Sequence, residues 1–562
     1  MNAVKKKFVR YFRGKFQADL SAGLTVAMIV IPQSMAYAAI VGINPIYGLF
    51  TAIIPTIIGA IFSSFPFLIM GPTNPTSLVT ASVLLSYANR SNYFEFVLAL
   101  AIIAGIVNII FGLLRLGYIT RYISNSVLVG FLTAAGFLII GNQLGNLFGV
   151  ELSREGGIWG IIVNLFTDLS GINLYTLIVS AFSIGLMLVL RSINRKIPAA
   201  LITIISASLI VFLTGWGQSQ NVQLVSDTGL PEQIRLGFHI PSISFEELTN
   251  IALAGAAVAL FGFMETTSIA KSMSQFSGKP FDPSRQMFAQ GLACFTGGLF
   301  QCMPASGSPS RTVINVVNGA KTRISAIISG IGVLIFLLLF SRLIGYIPIS
   351  ALAAVVIVSS AGLINFALIK LTWQSAFKSR IVMIITFVSA LILPLEYAIY
   401  LGILTTLLIY LGESSHINLS TILEDSKGNF IELPVDKIKE GDSRIVIVNI
   451  EGDLYFAAVE DLKSQIQDIL ESSPVKVLIL RFRRTHLLAS TAIMALDQLI
   501  QAARKQNIKI LFCGVQKEVL APLKDAGVLE IIGESHIFLA DDQIFGSTQR
   551  ALEKAKTIIS NQ

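Results

Sequence analysis

The sequence predicts a mostly α-helical membrane protein that ends in a small cytoplasmic α/β domain. Three observations carry this reading. Hydrophobic residues make up 54% of the 562 positions and charged residues only 13%, whereas soluble proteins carry about 25% charged residues. About fourteen apolar segments follow one another before position 414, two of them too short to cross a bilayer. Beyond that point polar residues increase, and short β-rich runs alternate with helical stretches.

The segments of the first half fall at 21–43, 46–62, 77–87, 94–113, 124–148, 175–190 and 199–214. Those of the second fall at 251–270, 287–302, 310–318, 324–340, 349–364, 382–395 and 397–411. A full helical span needs about 20 residues, so 77–87 and 310–318 are half-helices. Each follows a Gly/Pro-broken stretch. These stretches are Gly71-Pro72-Thr73-Asn74-Pro75-Thr76-Ser77 and Met303-Pro304-Ala305-Ser306-Gly307-Ser308-Pro309-Ser310-Arg311. Broken backbone survives at membrane depth only where it is buried in protein or lines a cavity. Paired breaks in two halves point to a transporter's substrate site. The first N–H groups of a half-helix lack internal partners and carry the positive end of its dipole. Two such ends facing each other form a site for an anion.

Gln33 lies 39 residues before Pro72, and Glu265 lies 39 residues before Pro304. Each is a polar residue in the first helix of its half, and an odd number of segments per half inverts one half relative to the other.

Charge placement orients the chain. With the N-terminus inside, the cytoplasmic loops carry Arg115 and Arg121; Arg191, Arg195 and Lys196; Lys271, Lys279 and Arg285; Lys321 and Arg323; and Lys370, Lys378 and Arg380. Only Arg90, Arg154, Arg235 and Arg342 fall on the other side, in loops that include the Gln-, Asp- and Gly-rich 217–244. This asymmetry places both termini in the cytoplasm. The formal net charge of +8 is concentrated in part in Lys5, Lys6, Lys7, Arg10, Arg13 and Lys15, beside the first span. That is a membrane-flanking arm rather than a nucleic-acid surface. Cys294, Cys302 and Cys513 lack metal-ligand spacing, and the four histidines are scattered. These residues therefore point to no metal site or cofactor. No GxxxxGK[ST] loop appears, so an ion gradient rather than ATP would drive transport.

The C-terminal region reads as strands at 444–450, 475–480 and 508–513, with helices at 459–471, 490–505 and 519–526. The organisation expected is an arm (1–19), a transport domain (20–413), a linker (414–442) and the α/β domain (443–562).

Ile31-Pro32-Gln33-Ser34-Met35-Ala36-Tyr37-Ala38, the run 71–80, Phe263-Met264-Glu265, and the run 304–315 with Gly319-Ala320-Lys321-Thr322 together resemble the SulP anion-transporter family. That family comprises the sulfate permeases of bacteria and plants and their animal relatives. The C-terminal region is similar to their STAS domain. The resemblance implies seven-plus-seven inverted transmembrane repeats split into core and gate domains, an anion site between the half-helices, and a homodimer. The sodium-dependent bicarbonate carriers share the family, but use an Asp where this chain has Glu265.

The candidate anion contacts are Gln33, Tyr37, Thr73, Thr76, Ser77, Gly307, Ser308, Ser310 and Arg311, with Glu265 as the proton- or cation-coupling group. Gln33 and Tyr37 share a helix face at i, i+4, and either contact an oxyanion or bond neighbouring helices. The hydroxyls either bind the anion or cap the half-helices. Arg311 sits at the wrong end of a helix dipole, so it either raises the potential for the anion or pairs with Glu265. An acid within a span is a functional candidate because it is costly there. In the STAS-like region Ser490 matches a phosphorylatable serine, but Ala489 and Ala492 replace its usual neighbours, leaving a helix N-cap as the expected role. The function expected is proton-coupled sulfate symport across the cell's inner membrane, without enzyme activity. Sodium-dependent bicarbonate uptake and channel-like chloride transport are the alternatives.

Overall fold

The computed structural model describes residues 14–118, 124–150, 157–167, 171–194, 197–228, 236–414, 417–425, 428–434, 444–454, 458–472 and 474–561. Lys5, Lys6, Lys7, Arg10, Arg13, Arg121, Arg154, Arg195, Lys196, Arg235 and His416 lie outside the described residues. The chain divides into a helical unit, Met1–Thr406, and a second unit, Leu407–Gln562.

In the first half of the helical unit α1 spans Phe16–Val41, α2 Pro45–Phe62, β1 Met70–Gly71, α3 Asn74–Val83, α4 Tyr93–Leu113, α5 Asn125–Asn142, α6 Leu174–Ile193 and α7 Ala199–Thr214. The second half repeats the order with α8 Ala252–Ser277, α9 Pro283–Leu299, β2 Ser306–Gly307, α10 Pro309–Val317, α11 Ile324–Ile344, α12 Ile349–Ala361, α13 Phe377–Ile392 and α14 Leu395–Ser414. Among the described residues eight helices are long and apolar enough to cross a membrane. Their outward side chains, such as Leu188, Leu338 and Leu339, are exposed and apolar, as a lipid-facing surface requires.

The packing is reciprocal. Helix α4 packs on α8 and α9, while its counterpart α11 packs on α1 and α2. Likewise α5 packs on α13, and α6 on α12. This exchange of partners between halves is what an inverted repeat produces. Water is absent from the bilayer core, so helix pairing there relies on close backbone approach. Gly105 and Gly112 of α4 meet Phe295 and Phe288 of α9 backbone to backbone, and Gly291 and Gly298 return the contact. A Cβ at Gly105 would lie 2.4 Å from Phe295 N.

Hydropathy missed two kinds of element. Helices Gly157–Thr167, Phe245–Asn250 and Phe366–Gln374 were not anticipated, because they are short or one-sided. Helix α8 also continues seven residues past the expected end at 270, because a polar helix tail leaving the membrane carries no apolar signal.

The second unit is a six-stranded sheet in the order β4-β3-β5-β6-β7-β8. Here β3 spans Asn418–Glu424, β4 Phe430–Pro434, β5 Ile445–Glu451, β6 Val477–Arg484, β7 Lys509–Val515 and β8 Ile537–Leu539. The stretch read as linker therefore carries two strands, and β3 pairs antiparallel with β5. Strands β5 to β8 run parallel. Alternation along β5 sends Val446, Val448 and Ile450 to one core, with helices α15 (Val459–Ser472), α16 (Ser490–Lys505) and α17 (Lys517–Asp525). Ile447 points to the opposite core, beneath α18 (Gly546–Ser560). Strand β8 and α18 follow the last element expected from sequence. The N-cap of α16 is Ala489, which makes no side-chain cap bond. Ser490 is thus the first helical residue, not the cap.

Replacing Gly105 or Gly291 by Val is expected to abolish the folded, monodisperse protein. Each Cβ would strike backbone, which cannot yield. Ala at Gly185, where nothing lies within 4 Å, leaves yield and melting temperature within a few degrees of the parent. Size-exclusion chromatography and thermal melting in detergent check both.

Candidate functional site

The two broken segments find each other. Strands β1 and β2 form an antiparallel ladder in which Met70 faces Gly307 and Gly71 faces Ser306. Side chains and flanking backbone complete the hydrogen bonding. Thr56 Oγ1 donates to Met70 O at 2.6 Å, Ile69 N to Thr312 Oγ1 at 3.1 Å, and Ser308 N to Ile69 O at 2.9 Å. Gly71 has φ +148°, a conformation that side-chain-bearing residues rarely adopt. A Cβ there would also come within 3.0 Å of Arg311 Nη1.

Both half-helices start at this crossing. Thr73 caps α3, accepting from Thr76 N at 3.4 Å, and Ser308 caps α10, accepting from Arg311 N at 3.5 Å. Helix α3 begins at Asn74, three residues before the expected 77, and α10 at Pro309, one before 310. Pro75 and Pro309 fit the first turn because no partner is lost there.

Arg311 is fully buried. Its Nη2 donates to the Pro72 carbonyl at the start of the opposite half-helix. Its Nε and Nη1 have no partner among the described residues. A buried cation with idle donors is expensive unless something accepts from them. Of the two sequence readings, pairing with Glu265 is the one the structure does not form: among the described residues no ion pair joins them.

Glu265 is instead held by hydroxyls. Its Oε2 accepts from Ser306 Oγ at 2.7 Å, Thr73 Oγ1 at 2.9 Å and Thr76 Oγ1 at 3.2 Å. The carboxylate of α8 therefore ties the start of α3 to β2. Next along α8, Thr266 Oγ1 accepts from Gly307 N at 2.7 Å and lies 2.5 Å from Gln290 Oε1 of α9.

The sequence-derived candidates divide accordingly. Thr73, Thr76, Gly307, Ser308, Arg311 and Glu265 come together at the crossing, with Thr73 and Thr76 engaged by Glu265. Gln33 and Tyr37 lie buried on α1, which packs on both half-helices. Tyr37 stands within electrostatic reach of Arg311 and Glu265. The Gln33 Oε1 and Ser77 Oγ atoms are buried without partners among the described residues. Ser310 is exposed, its hydroxyl 3.5 Å from that of Ser308. Sequence reasoning passed over Ser306, Thr266, Gln290 and Arg191. Ser306 was one of three serines in the break, and only the β1–β2 register singles it out. Arg191 looked like a loop charge, yet it lies in the last turn of α6, donates to Val358 O at 3.3 Å and stands within electrostatic reach of Tyr37.

A helical membrane unit, broken twice and rejoined over a buried arginine, is the architecture of a multi-pass membrane transporter. Residues 16–386 match the Sulfate permease family and residues 436–544 the STAS domain, and the chain belongs to the sulfate permease family, whose members are transporters and not enzymes. It is 27% identical over 557 residues to the chloroplastic sulfate transporter 4.1 of Arabidopsis thaliana, covering 95% of this chain and 80% of that one. It is 25% identical to the putative sulfate transporter YvdB of Bacillus subtilis strain 168, covering 96% and 99%. The fold superimposes on the murine Slc26a9 anion transporter in its inward-facing state with a TM-score of 0.86 at 20% identity, covering 97% and 92%.

Arg311→Ala is expected to weaken equilibrium binding of labelled sulfate to the purified protein by about tenfold or more, the usual scale for a hydrogen bond to a charged group. Arg311→Lys recovers only part, since an ammonium lacks the planar fork. Ser310→Ala, at an exposed position, costs less than about threefold. A bound anion lying more than one helical turn from both half-helix starts overturns the site.

Proposed function

We propose that the chain is a secondary active transporter of a small inorganic oxyanion, with sulfate driven by protons as substrate and coupling. The observation that carries this reading is the Arg311 guanidinium between two half-helix starts, with Nε and Nη1 unpartnered among the described residues. Its free donors, the first-turn N–H groups of α3 and α10, and the polar ends of Gln33, Tyr37, Ser77 and Ser308 supply what an oxyanion needs. The Gln33 amide, its oxygen unpartnered, can rotate to present N–H donors.

Coupling follows from the Glu265 hydroxyl shell. An ionised carboxylate satisfies three hydroxyl donors. A protonated one gains a donor and loses acceptor capacity, which releases hydroxyls of Thr73, Thr76 or Ser306. Protonation also removes a negative charge beside a dianion. At roughly 4 Å and an effective dielectric of about 20, each unit of like charge costs on the order of 4 kcal/mol, enough to decide occupancy. Proton and anion then travel together as the core moves against the gate.

The same oxygen cluster raises the sodium reading, and its spacing disfavours it. Thr73 Oγ1 and Thr76 Oγ1 lie 2.8 and 2.9 Å from Ser306 Oγ, which is hydrogen-bond spacing. Oxygens around a cation at about 2.4 Å would stand further apart.

The positive-inside pattern supports both termini in the cytoplasm, and the membrane proposed is the cell's inner membrane. The assembly proposed is a homodimer. The transport domain, 20–413, contains every site residue, with the STAS-like domain as a supporting module.

Glu265→Gln keeps size and hydrogen bonding but fixes the neutral state. In proteoliposomes, anion-for-anion sulfate exchange is expected to survive and net uptake driven by an acid exterior to disappear. Concentrative uptake equal to the parent's would make Glu265 structural. A parent that responds only to sodium, or prefers bicarbonate, would replace the proton–sulfate assignment. Truncation after position 414 is expected to leave sulfate affinity within about threefold, read by equilibrium binding. A stable, inserted truncate without binding would place the C-terminal unit in the site.

A further inference from the structure

We propose a second oxyanion subsite, distinct from the half-helix crossing, in the cavity between the start of α5 and the polar tail of α8. It rests on the reading of the chain as an anion transporter and places a waiting position on the substrate's path. The cavity measures about 590 Å³ and is lined by Ser124 and Asn125 of the α5 start and by Met264, Thr267, Ser268 and Lys271 of α8, among others.

Four features point to an anion. Helix α5 is 18 residues long, and its N-terminus, capped by Ser124 accepting from Ser126 N at 3.1 Å, opens on the cavity. The positive end of its dipole therefore faces this space. Thr267 lines the cavity, is 8% exposed, and its hydroxyl has no partner among the described residues. Lys271 lies one helical turn further along α8, exposed, and forms no ion pair among the described residues. None of the described lining residues is a carboxylate. The two carboxylates that adjoin lining residues in sequence are both engaged, Asp282 in capping α9 through Ser284 N and Arg285 N and Glu265 by Ser306, Thr73 and Thr76.

The position gives the subsite its role. Thr267 follows Glu265 by two residues, and Met264 precedes it by one, so the cavity wall and the Glu265 shell share one stretch of α8. An anion held by Thr267, the α5 N–H groups and Lys271 stands next to the gate that Glu265 controls. Lys271 acts as the funnel. A charge at a narrow, low-dielectric mouth raises the local anion concentration, and the effect fades as salt shortens the Debye length to about 3 Å at 1 M.

The test uses the full chain. Its three native cysteines are all buried, and burial pushes the Cys513 thiol up to about 12, so a single added thiol is readable. Ser268→Cys, on the exposed cavity wall, is modified with an anionic and a cationic methanethiosulfonate reagent in detergent. The expected result has three parts. The anionic reagent reacts at least about fivefold faster, relative to its rate with a free thiol. Adding Lys271→Gln erases that preference while Lys271→Arg keeps it. Sulfate slows modification, and Thr267→Val weakens the protection. Equal rates for the two reagents, insensitivity to Lys271→Gln, or no protection by sulfate overturns the subsite. Sulfate uptake by the parent in liposomes is measured separately. Uptake without charge preference defeats the subsite alone. Charge preference and protection without uptake defeat the transport reading and leave the subsite standing.

Discussion

Two interrupted backbones inside a bilayer must find hydrogen bonds, and here they find them in each other. A peptide group left unpaired in hydrocarbon costs several kcal/mol. The β1–β2 ladder, with Thr56, Thr312 and Ser308 N around it, removes that cost for both breaks at once. Everything else in the site hangs on this crossing. It sets the starts of α3 and α10 against each other, turns their unpaired N–H groups to one place, and brings Arg311 to the Pro72 carbonyl.

The two halves share a fold but not a chemistry. Position for position, Gln33 answers to Glu265, and the first half has no arginine where α10 carries Arg311. Symmetry therefore supplies the geometry of paired half-helices, and asymmetry supplies charge. One half contributes a neutral, reorientable amide. The other contributes a cation that stays charged and a carboxylate in a shell of hydroxyls. Glu265 touches elements from both halves, so a change in its protonation is felt by α3 and β2 together. A group on the rim could not do this.

The second unit stands on its own cores. Its parallel strands carry near-continuous apolar runs because helices cover both faces. Two buried polar exceptions pair with each other: Arg481 on β6 bonds Asn449 Oδ1 of β5 at 2.8 Å, and also Thr548 Oγ1 at 3.1 Å and Ile544 O at 2.8 Å. A buried guanidinium with its donors used locks the strand against α18. Arg311 lies equally deep, but its Nε and Nη1 have no partner among the described residues. That contrast separates a structural arginine from the one proposed to bind the anion, and no feature of either local sequence reveals it.

The sequence by itself determined the spans, the two breaks, the change of character near position 414 and the candidacy of Glu265 and Arg311. Hydropathy, proline, glycine and isolated charge are local properties, and the bilayer enforces them segment by segment. Only the tertiary structure decided which groups meet. Thr73 and Glu265 are 192 residues apart, and Arg311 and Pro72 are 239. Such pairings depend on how the helices pack, through contacts like Gly105 on Phe295, and so leave no local trace. For the same reason Ser306 could not be told from its neighbouring serines, and the strands within 418–434 could not be told from a connector: both acquire their roles from a partner strand far along the chain. The sequence offered Glu265 and Arg311 as candidates; the packing determined that hydroxyls, not the arginine, hold the acid.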